Sequence, residues 1–403
     1  AVSAAGLNWS DTIITGSTVT VEAGNGYWIN TTSNTCTITL PSSAESGDQI
    51  VLIDYARTWG TNSIFIDSNG LNYQGNDDTY IVEYNTDGQS VNIVYSDATK
   101  GWIPLEDDVT ALEPVAPPTQ KAIFGYGDTS GGGVSMTNLV NSSGVVATDT
   151  TGVGTARAAL AACGYGGDKA IFGYGSGLTS LTNLVSNSGV VATDTTGVGS
   201  ARNNLAAASY GTDKGIFGYG STGSSVSLTN LVSNSGVVSA DVTGVGTARQ
   251  YPAAASYGST GQAIFGYGIT TNVTNLVSNV GVVATDTTGV GTSRYGLGCA
   301  SYGTDKAIFA FGKAGTTYYG ISNLVSNTGV VATDTSAVAS VRNYVAAAGY
   351  GGDKGIFAYG EPDASSRTSL SNLISNVGVV ASDVTGVGTA RRLPAAAGYS
   401  TSA

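Results

Sequence analysis

Histidine is absent from this chain of 403 residues. That omission removes His-based metal sites, Ser-His-Asp triads and Cys-His dyads together. Charge is sparse, at 11% of residues, yet 41% are hydrophobic; disorder needs the opposite balance. No apolar run nears the roughly 18 residues of a membrane helix. The opening AVSAAGLNWSD has neither the basic segment nor the long apolar stretch of a secretory signal. Three cysteines, Cys36, Cys163 and Cys299, stand far apart with no metal spacing. Two of them, Cys163 and Cys299, fall where sister segments carry alanine, and read as small core residues. Basic residues are almost missing from the front. Residues 1–120 carry 15 Asp/Glu and two Lys/Arg (net −13), and residues 121–403 carry 13 and 14 (net +1). An acidic front speaks against nucleic acid, whose phosphates need clustered Lys/Arg, and it separates two modules.

What is present is glycine, 58 residues of it, among short β-rich stretches. The composition predicts an all-β protein with many tight turns. In the front module TVTVEA, GYWINTT, CTITLP, DQIVLIDYA, SIFIDS, TYIVEY and SVNIVYS are strand candidates separated by turn residues. They predict a β-sandwich or jelly-roll-like domain over 1–105. The proline-containing stretch 106–120 reads as a linker, and 121–403 as a repeat module.

The segment KAIFGYG and its variants begin at Lys121, Lys169, Lys214, Gln262, Lys306 and Lys354, with periods of 48, 45, 48, 44 and 48. Repeats of 40–50 residues built from short strands predict a β-propeller with one four-stranded sheet per repeat. NLAAASYG (204–211) is the expected inner strand, followed by 214–220, 229–235 and 237–243. The module opens on a second strand and ends on a first, RRLPAAAGYS, so six blades closed by residues 392–399 are expected.

Length variation is confined. From the residue opening the third strand to the next Arg the distance is always 20, whereas the loops 128–136, 176–181, 221–228, 269–273, 313–321 and 361–370 hold 9, 6, 8, 5, 9 and 10 residues. Loops that vary on a fixed scaffold mark a recognition face. Its candidate contacts are Tyr318, Tyr319, Lys313, Glu361, Asp363 and Arg367, types suited to glycans or protein partners; free drift of loop tips is the other reading. Six arginines (Arg157, Arg202, Arg249, Arg294, Arg342 and Arg391) recur before the inner strand. Either they ring a channel mouth and offer guanidinium forks to an anion, or each bonds backbone carbonyls or the Asp eight residues earlier. Those are Asp149, Asp194, Asp241, Asp286, Asp334 and Asp383. Equal groups in equal places favour the structural reading.

No catalytic constellation emerges, so the chain reads as a non-enzyme without cofactor or metal. DTTG in repeated copies cannot form one aspartic-protease dyad, SDATKGW occurs once and outside the repeats, and GVGTAR lacks a phosphate-loop lysine. In its order of Arg, small-residue strand, glycine-ended strand, variable loop and two further strands, TAR-NNLAAASYGTDKGIFGYG resembles the kelch repeat family. GYG replaces that family's paired glycines, and its fourth-strand Trp is missing. The resemblance implies a six-bladed kelch-like propeller and says little of function.

The front passage TITLPSSAESGDQIVLIDYARTWGTNSIFIDSNGLNYQG, with VNIVYSDATKGWIP, is similar to a segment of virion proteins of tailed phages, especially those of marine cyanobacteria. This resemblance implies a bacteriophage virion structural or tail-fibre-like protein, assembled in the host cytoplasm. The front module would hold it to other virion proteins as a homo-oligomer, fibres of this kind being commonly trimeric. The propeller would serve host attachment through a surface glycan or protein. A decoration protein of capsid or tail without a ligand is the alternative, and a polysaccharide-active enzyme a third reading.

Overall fold

The computed structural model describes residues 6–106, 111–114 (backbone only), 120–336 and 339–400. It is all-β, without a helix among the described residues. The chain divides into two compact units, Ala1–Pro117 and Pro118–Ala403.

The front unit contains β1 (Asn8–Ile14), β2 (Thr18–Thr20), β3 (Asn25–Ile29), β4 (Cys36–Thr39), β5 (Gln49–Asp54), β6 (Ile64–Asp67), β7 (Tyr80–Tyr84), β8 (Ser90–Tyr95), β9 (Trp102–Pro104) and β10 (Ala111–Pro114). Two five-stranded sheets result, ordered β1-β3-β5-β8-β9 and β10-β7-β6-β4-β2. They share one apolar core that includes Ile29, Ile38, Ile50, Leu52, Trp59 and Trp102.

The jelly-roll expectation fails on strand direction. The chain changes sheet at every step from β1 to β6, so strands two apart pair side by side and parallel: β1 with β3, β3 with β5, β2 with β4, β4 with β6. A jelly roll is antiparallel. Part of the expected linker is also a strand, because β10 pairs antiparallel with β7; residues 107–110 and 115–119 lie outside the described residues. SDATKGW closes a turn. Asp97 accepts the N–H groups of Thr99 and Lys100 at 2.8 Å each, and a Cβ on Gly101 would stand 1.8 Å from the Asn72 carbonyl oxygen.

The rear unit holds six sheets of one plan. Inner strands Ala161–Tyr165, Ala206–Tyr210, Ala253–Tyr257, Gly298–Tyr302, Ala346–Tyr350 and Ala395–Tyr399 pair antiparallel with middle strands. The middle strands are Lys169–Gly173, Lys214–Gly218, Gln262–Gly266, Lys306–Ala310, Lys354–Ala358 and Lys121–Gly125 in the same order. Outer strands complete each sheet, from Thr182–Val185 round to Thr137–Val140. The last strand of the chain thus pairs with the first strand of the unit, Lys121 opposite Tyr399 and Gly125 opposite Ala395.

Each inner strand neighbours the next, and Ala395–Tyr399 neighbours Ala161–Tyr165. Six backbone hydrogen bonds follow the same cycle, from Gly166 N–H to the Asp213 carbonyl through to Ser400 N–H to the Asp168 carbonyl. Only small side chains fit where inner strands converge, which is why these strands are alanine-rich. Ile and Phe of every middle strand are fully buried, each contributing about 1.5–3 kcal/mol.

Four full strands per sheet are not formed. After the turn at Gly144 and its equivalents, the chain makes two isolated bridges, such as Val140 with Val146 and Thr137 with Thr150. Among the described residues, only Ile321–Val325 gains a short partner, Thr335–Ser336. The register slips by one residue between the two bridges, a bulge. Asn138, wholly buried, fills it by donating to the Ala147 carbonyl at 3.0 Å and to Asp149 Oδ1 at 2.9 Å. A side chain here replaces ladder bonds.

Near-identical repeats still differ in matched pairs. A Cβ on Gly215 would lie 2.5 Å from Cys163 Sγ; the sister sheets all carry alanine at the position of Cys163, and four of the five carry it at that of Gly215, the fifth having Gly355. Likewise Gly355, alanine or glycine elsewhere, faces Ile374, where the other outer strands carry valine; a Cβ there would be 2.7 Å from Ile374 Cδ1. Gly215→Ala should therefore destabilise by about 1–3 kcal/mol through overpacking. The double variant Cys163→Ala/Gly215→Ala should recover most of that loss in urea unfolding. Equal losses with and without Cys163 would refute the pairing.

Candidate functional site: the loop face of the repeat unit

The six arginines sit at the seams between sheets, at most 2% exposed. Arg157 shows the pattern. Its Nε donates to the Tyr174 carbonyl at 2.7 Å, Nη1 to the Thr155 carbonyl at 3.0 Å and Nη2 to Asn183 Oδ1 at 2.7 Å. The guanidinium lies over the Tyr126 ring of the preceding sheet, 4.5 Å from its centroid. Arg202, Arg249, Arg294 and Arg391 stack likewise on Tyr174, Tyr219, Tyr267 and Tyr359, and Arg342 on Phe311. No fork is offered to an anion at a channel mouth, since the donors face protein.

The aspartate partner is not the one eight residues earlier. Arg157 approaches Asp194 at 3.8 Å, Arg202 Asp241, Arg294 Asp334 and Arg342 Asp383, while Asp149 belongs to Arg391. The connection between Asp149 and Arg157 crosses from one sheet to the next, so the arginine meets the acid of the sheet it enters. Each carboxylate also latches the crossing: Asp194 accepts the Thr155 N–H at 3.0 Å and its hydroxyl at 2.6 Å. Asp286 does the same for Thr247 ahead of Arg249. Burial alone would raise the Asp149 carboxyl. The hydrogen bonds from Thr389 and Asn138, with the charge of Arg391, outweigh it and hold the group below the ordinary range.

Bridges between loop bases and the residues after four of the arginines bring variable loops to this same end, Asp128 with Arg392, Ser221 with Asn203, Lys313 with Tyr295 and Glu361 with Asn343. Backbone hydrogen bonds from Ser176 to Ala158 and from Ile269 to Gln250 bring the other two. Of the six loop candidates, four join one polar network. Glu361 takes Arg392 Nη1 at 2.7 Å, lies 4.0 Å from Lys313 Nζ and accepts the Tyr318 hydroxyl at 3.4 Å. Asp128 then ties Arg392 to Arg367, at 2.9 and 3.0 Å. Glu361 is only 2% exposed. It follows Gly360 at the base of its loop, and it positions neighbours instead of meeting a ligand. Tyr319 is held by its N–H to the Gly312 carbonyl at 2.8 Å, and Asp363 caps its own loop through Ser365 and Ser366; neither joins the network.

The sequence reading missed the centre of this end. Tyr251, Tyr295 and Tyr344 cluster with ring centroids 5.2–6.2 Å apart. Tyr251 and Tyr344, with Leu393, Pro252, Pro394 and Leu297, line a cavity of about 80 Å³. Burial, then the neighbouring tyrosines, pushes the Tyr344 hydroxyl well above its ordinary pKa.

These residues belong to the dipeptide after each arginine: Ala158-Ala159, Asn203-Asn204, Gln250-Tyr251, Tyr295-Gly296, Asn343-Tyr344 and Arg392-Leu393. The second residue is left-handed in all six, φ 53–66°. This conformation aims its N–H at the neighbouring repeat, as in Asn204 to the Ala159 carbonyl (2.9 Å) and Tyr251 to the Asn204 carbonyl (2.8 Å). The backbone bond does not depend on the side chain, which leaves the side chain free to differ. Variation in identity at constant length was the available signal.

The surface so assembled is asymmetric. Tyrosines and charges gather on the sheets bearing Tyr251, Tyr295, Tyr344, Glu361 and Arg392, while Ala158 and Ala159 mark a plain sector. Stacking and hydrogen bonding are what such groups do; among the described residues no group of three Cys, Asp or Glu converges as a metal site. No protein-family model matches the chain, and no curated protein is similar to it.

Proposed function

We propose that the rear unit is a six-bladed kelch-like β-propeller closed by Ala395–Tyr399, and that the chain is a tail-fibre-like virion protein of a tailed phage. Its front unit attaches it to other virion proteins, and its loop face recognises a host-surface glycan. The cyclic neighbourhood of the inner strands supports the first part, and the front-unit motif supports the second. One observation carries recognition: loops of differing length and dipeptides of differing identity converge at one end of an otherwise repeated scaffold, around three tyrosines. Aromatic faces with a hydrogen-bonding rim suit sugar rings.

A bacterial-surface glycan array probed with the full chain tests the proposal. Binding to at least one glycan is expected, weakened tenfold or more in Tyr344→Ala, which is about 1.4 kcal/mol. An array without a binder, together with unimpaired adsorption of virions lacking the protein, refutes recognition and leaves a decoration role.

A further inference from the structure

The opposite end of the inner strands holds a larger cavity, about 310 Å³, within the size range of small-molecule sites. Its wall is built from one position of each inner strand: Gly164, Ser209, Ser256, Ser301, Gly349 and Gly398. Along half of the circle a hydroxyl serves the strand before it. Ser209 Oγ donates to the Gly164 carbonyl at 3.1 Å and accepts the Gly164 N–H at 3.0 Å. Ser256 Oγ donates to the Ser209 carbonyl at 2.8 Å, and Ser301 Oγ to the Ser256 carbonyl at 2.9 Å.

The relay then stops, because the next three positions are glycine. A Cβ built on Gly349, Gly398 or Gly164 would stand 3.7 Å from the Ser301 carbonyl oxygen, 3.2 Å from that of Gly349 and 3.5 Å from that of Gly398. Three carbonyls therefore face a hollow where the other half of the circle has hydroxyls. A donor stands beside them. Gln120 Oε1 accepts the Gly352 N–H at 2.8 Å, which holds its Nε2 at 3.3 Å from the place a Gly398 Cβ would take. At the rim Lys354 is paired with Asp353 at 2.7 Å, and Lys169 with Asp168, so the local charge is balanced.

We infer that this hollow binds a neutral polyhydroxyl compound the size of one sugar ring. Its hydroxyls would donate to the Ser301, Gly349 and Gly398 carbonyls and accept from Gln120, completing the interrupted relay. A cavity that presents three backbone carbonyls and one side-chain amide favours ligands that supply both donors and acceptors. Paired lysines give no advantage to an anion. This inference is independent of the loop face, which lies at the other end of the strands.

Saturation-transfer NMR of the full chain with glucose, galactose, mannose, myo-inositol and glucuronate tests it. At least one neutral probe should give signal, and glucuronate should bind more weakly than glucose. Gly349→Ser should weaken binding tenfold or more. Its hydroxyl would take the Ser301 carbonyl, and its Cβ meets nothing closer than 3.7 Å, so the melting temperature should not fall. Gln120→Ala should weaken binding in parallel, which covers a failure of the serine variant to fold. Silence from all four neutral probes, preferred glucuronate, or unchanged binding in a folded Gly349→Ser or Gln120→Ala protein would each overturn the inference.

Discussion

A chain ended after Arg392 should fail to melt cooperatively in its rear unit and should aggregate. The truncation removes Ala395–Tyr399, whose residues pair with Lys121–Gly125. It also removes the Leu393 carbonyl that receives the Ala159 N–H at 3.1 Å, and the Ser400 N–H that reaches Asp168 at 2.6 Å. Two seams lose one wall each, exposing Ile123 and Phe124 along an unpaired strand edge, a template for aggregation. Ala395, Ala397 and Tyr399 are themselves buried, and ordinary stabilities of about 5–15 kcal/mol do not survive the loss of a whole strand. Calorimetry and size-exclusion chromatography provide the check. A monomeric truncated protein with the parent's transition would show that the last strand is dispensable.

Arg391→Met should cost about 1.5–3 kcal/mol, the range for hydrogen bonds to a charged group, since the acid left behind, Asp149, is 30% exposed. The side chain is fully buried; Nη2 donates to Asn138 Oδ1 at 2.7 Å across 253 residues of sequence, and Nη1 to the Thr389 carbonyl at 3.1 Å. The guanidinium also covers the Tyr359 ring at 3.9 Å. Methionine keeps the packing, leaves Asn138 Oδ1 without its donor and removes the cation beside Asp149, which keeps its hydrogen bonds from Thr389 and Asn138. Lysine restores charge but not the planar fork, so Arg391→Lys should recover less than half of the loss. Urea unfolding of the two variants measures both. A Met variant within about 0.5 kcal/mol of the parent, the scatter of neutral surface changes, would make the seam arginines ornamental.

Much of the rear unit was legible because its physics is local. Paired Ile and Phe, alanine in the inner strand and a glycine at φ of about +82° in the outer turn each announce themselves in sequence. The Asp partner of each arginine was not legible. Spacing along the chain cannot reveal that Asp149 and Arg157 lie on either side of a sheet boundary. The incomplete fourth strand escaped because VVATDT alternates like a strand, while buried Asn138 takes its bonds. In the front unit, strands of three to seven residues look alike whether paired parallel or antiparallel. Loop length drew attention to Glu361, which is buried; the tyrosines that form the surface sat in dipeptides whose length never changes.

The Cys163–Gly215 fit has a genetic consequence. Nearly identical coding segments invite unequal crossing-over, and the copies look exchangeable. At the protein level they are not, because a transplanted segment brings its bulge of volume without the hollow that receives it. Cassettes that move as adjoining couples should survive such shuffling, whereas lone ones should be purged.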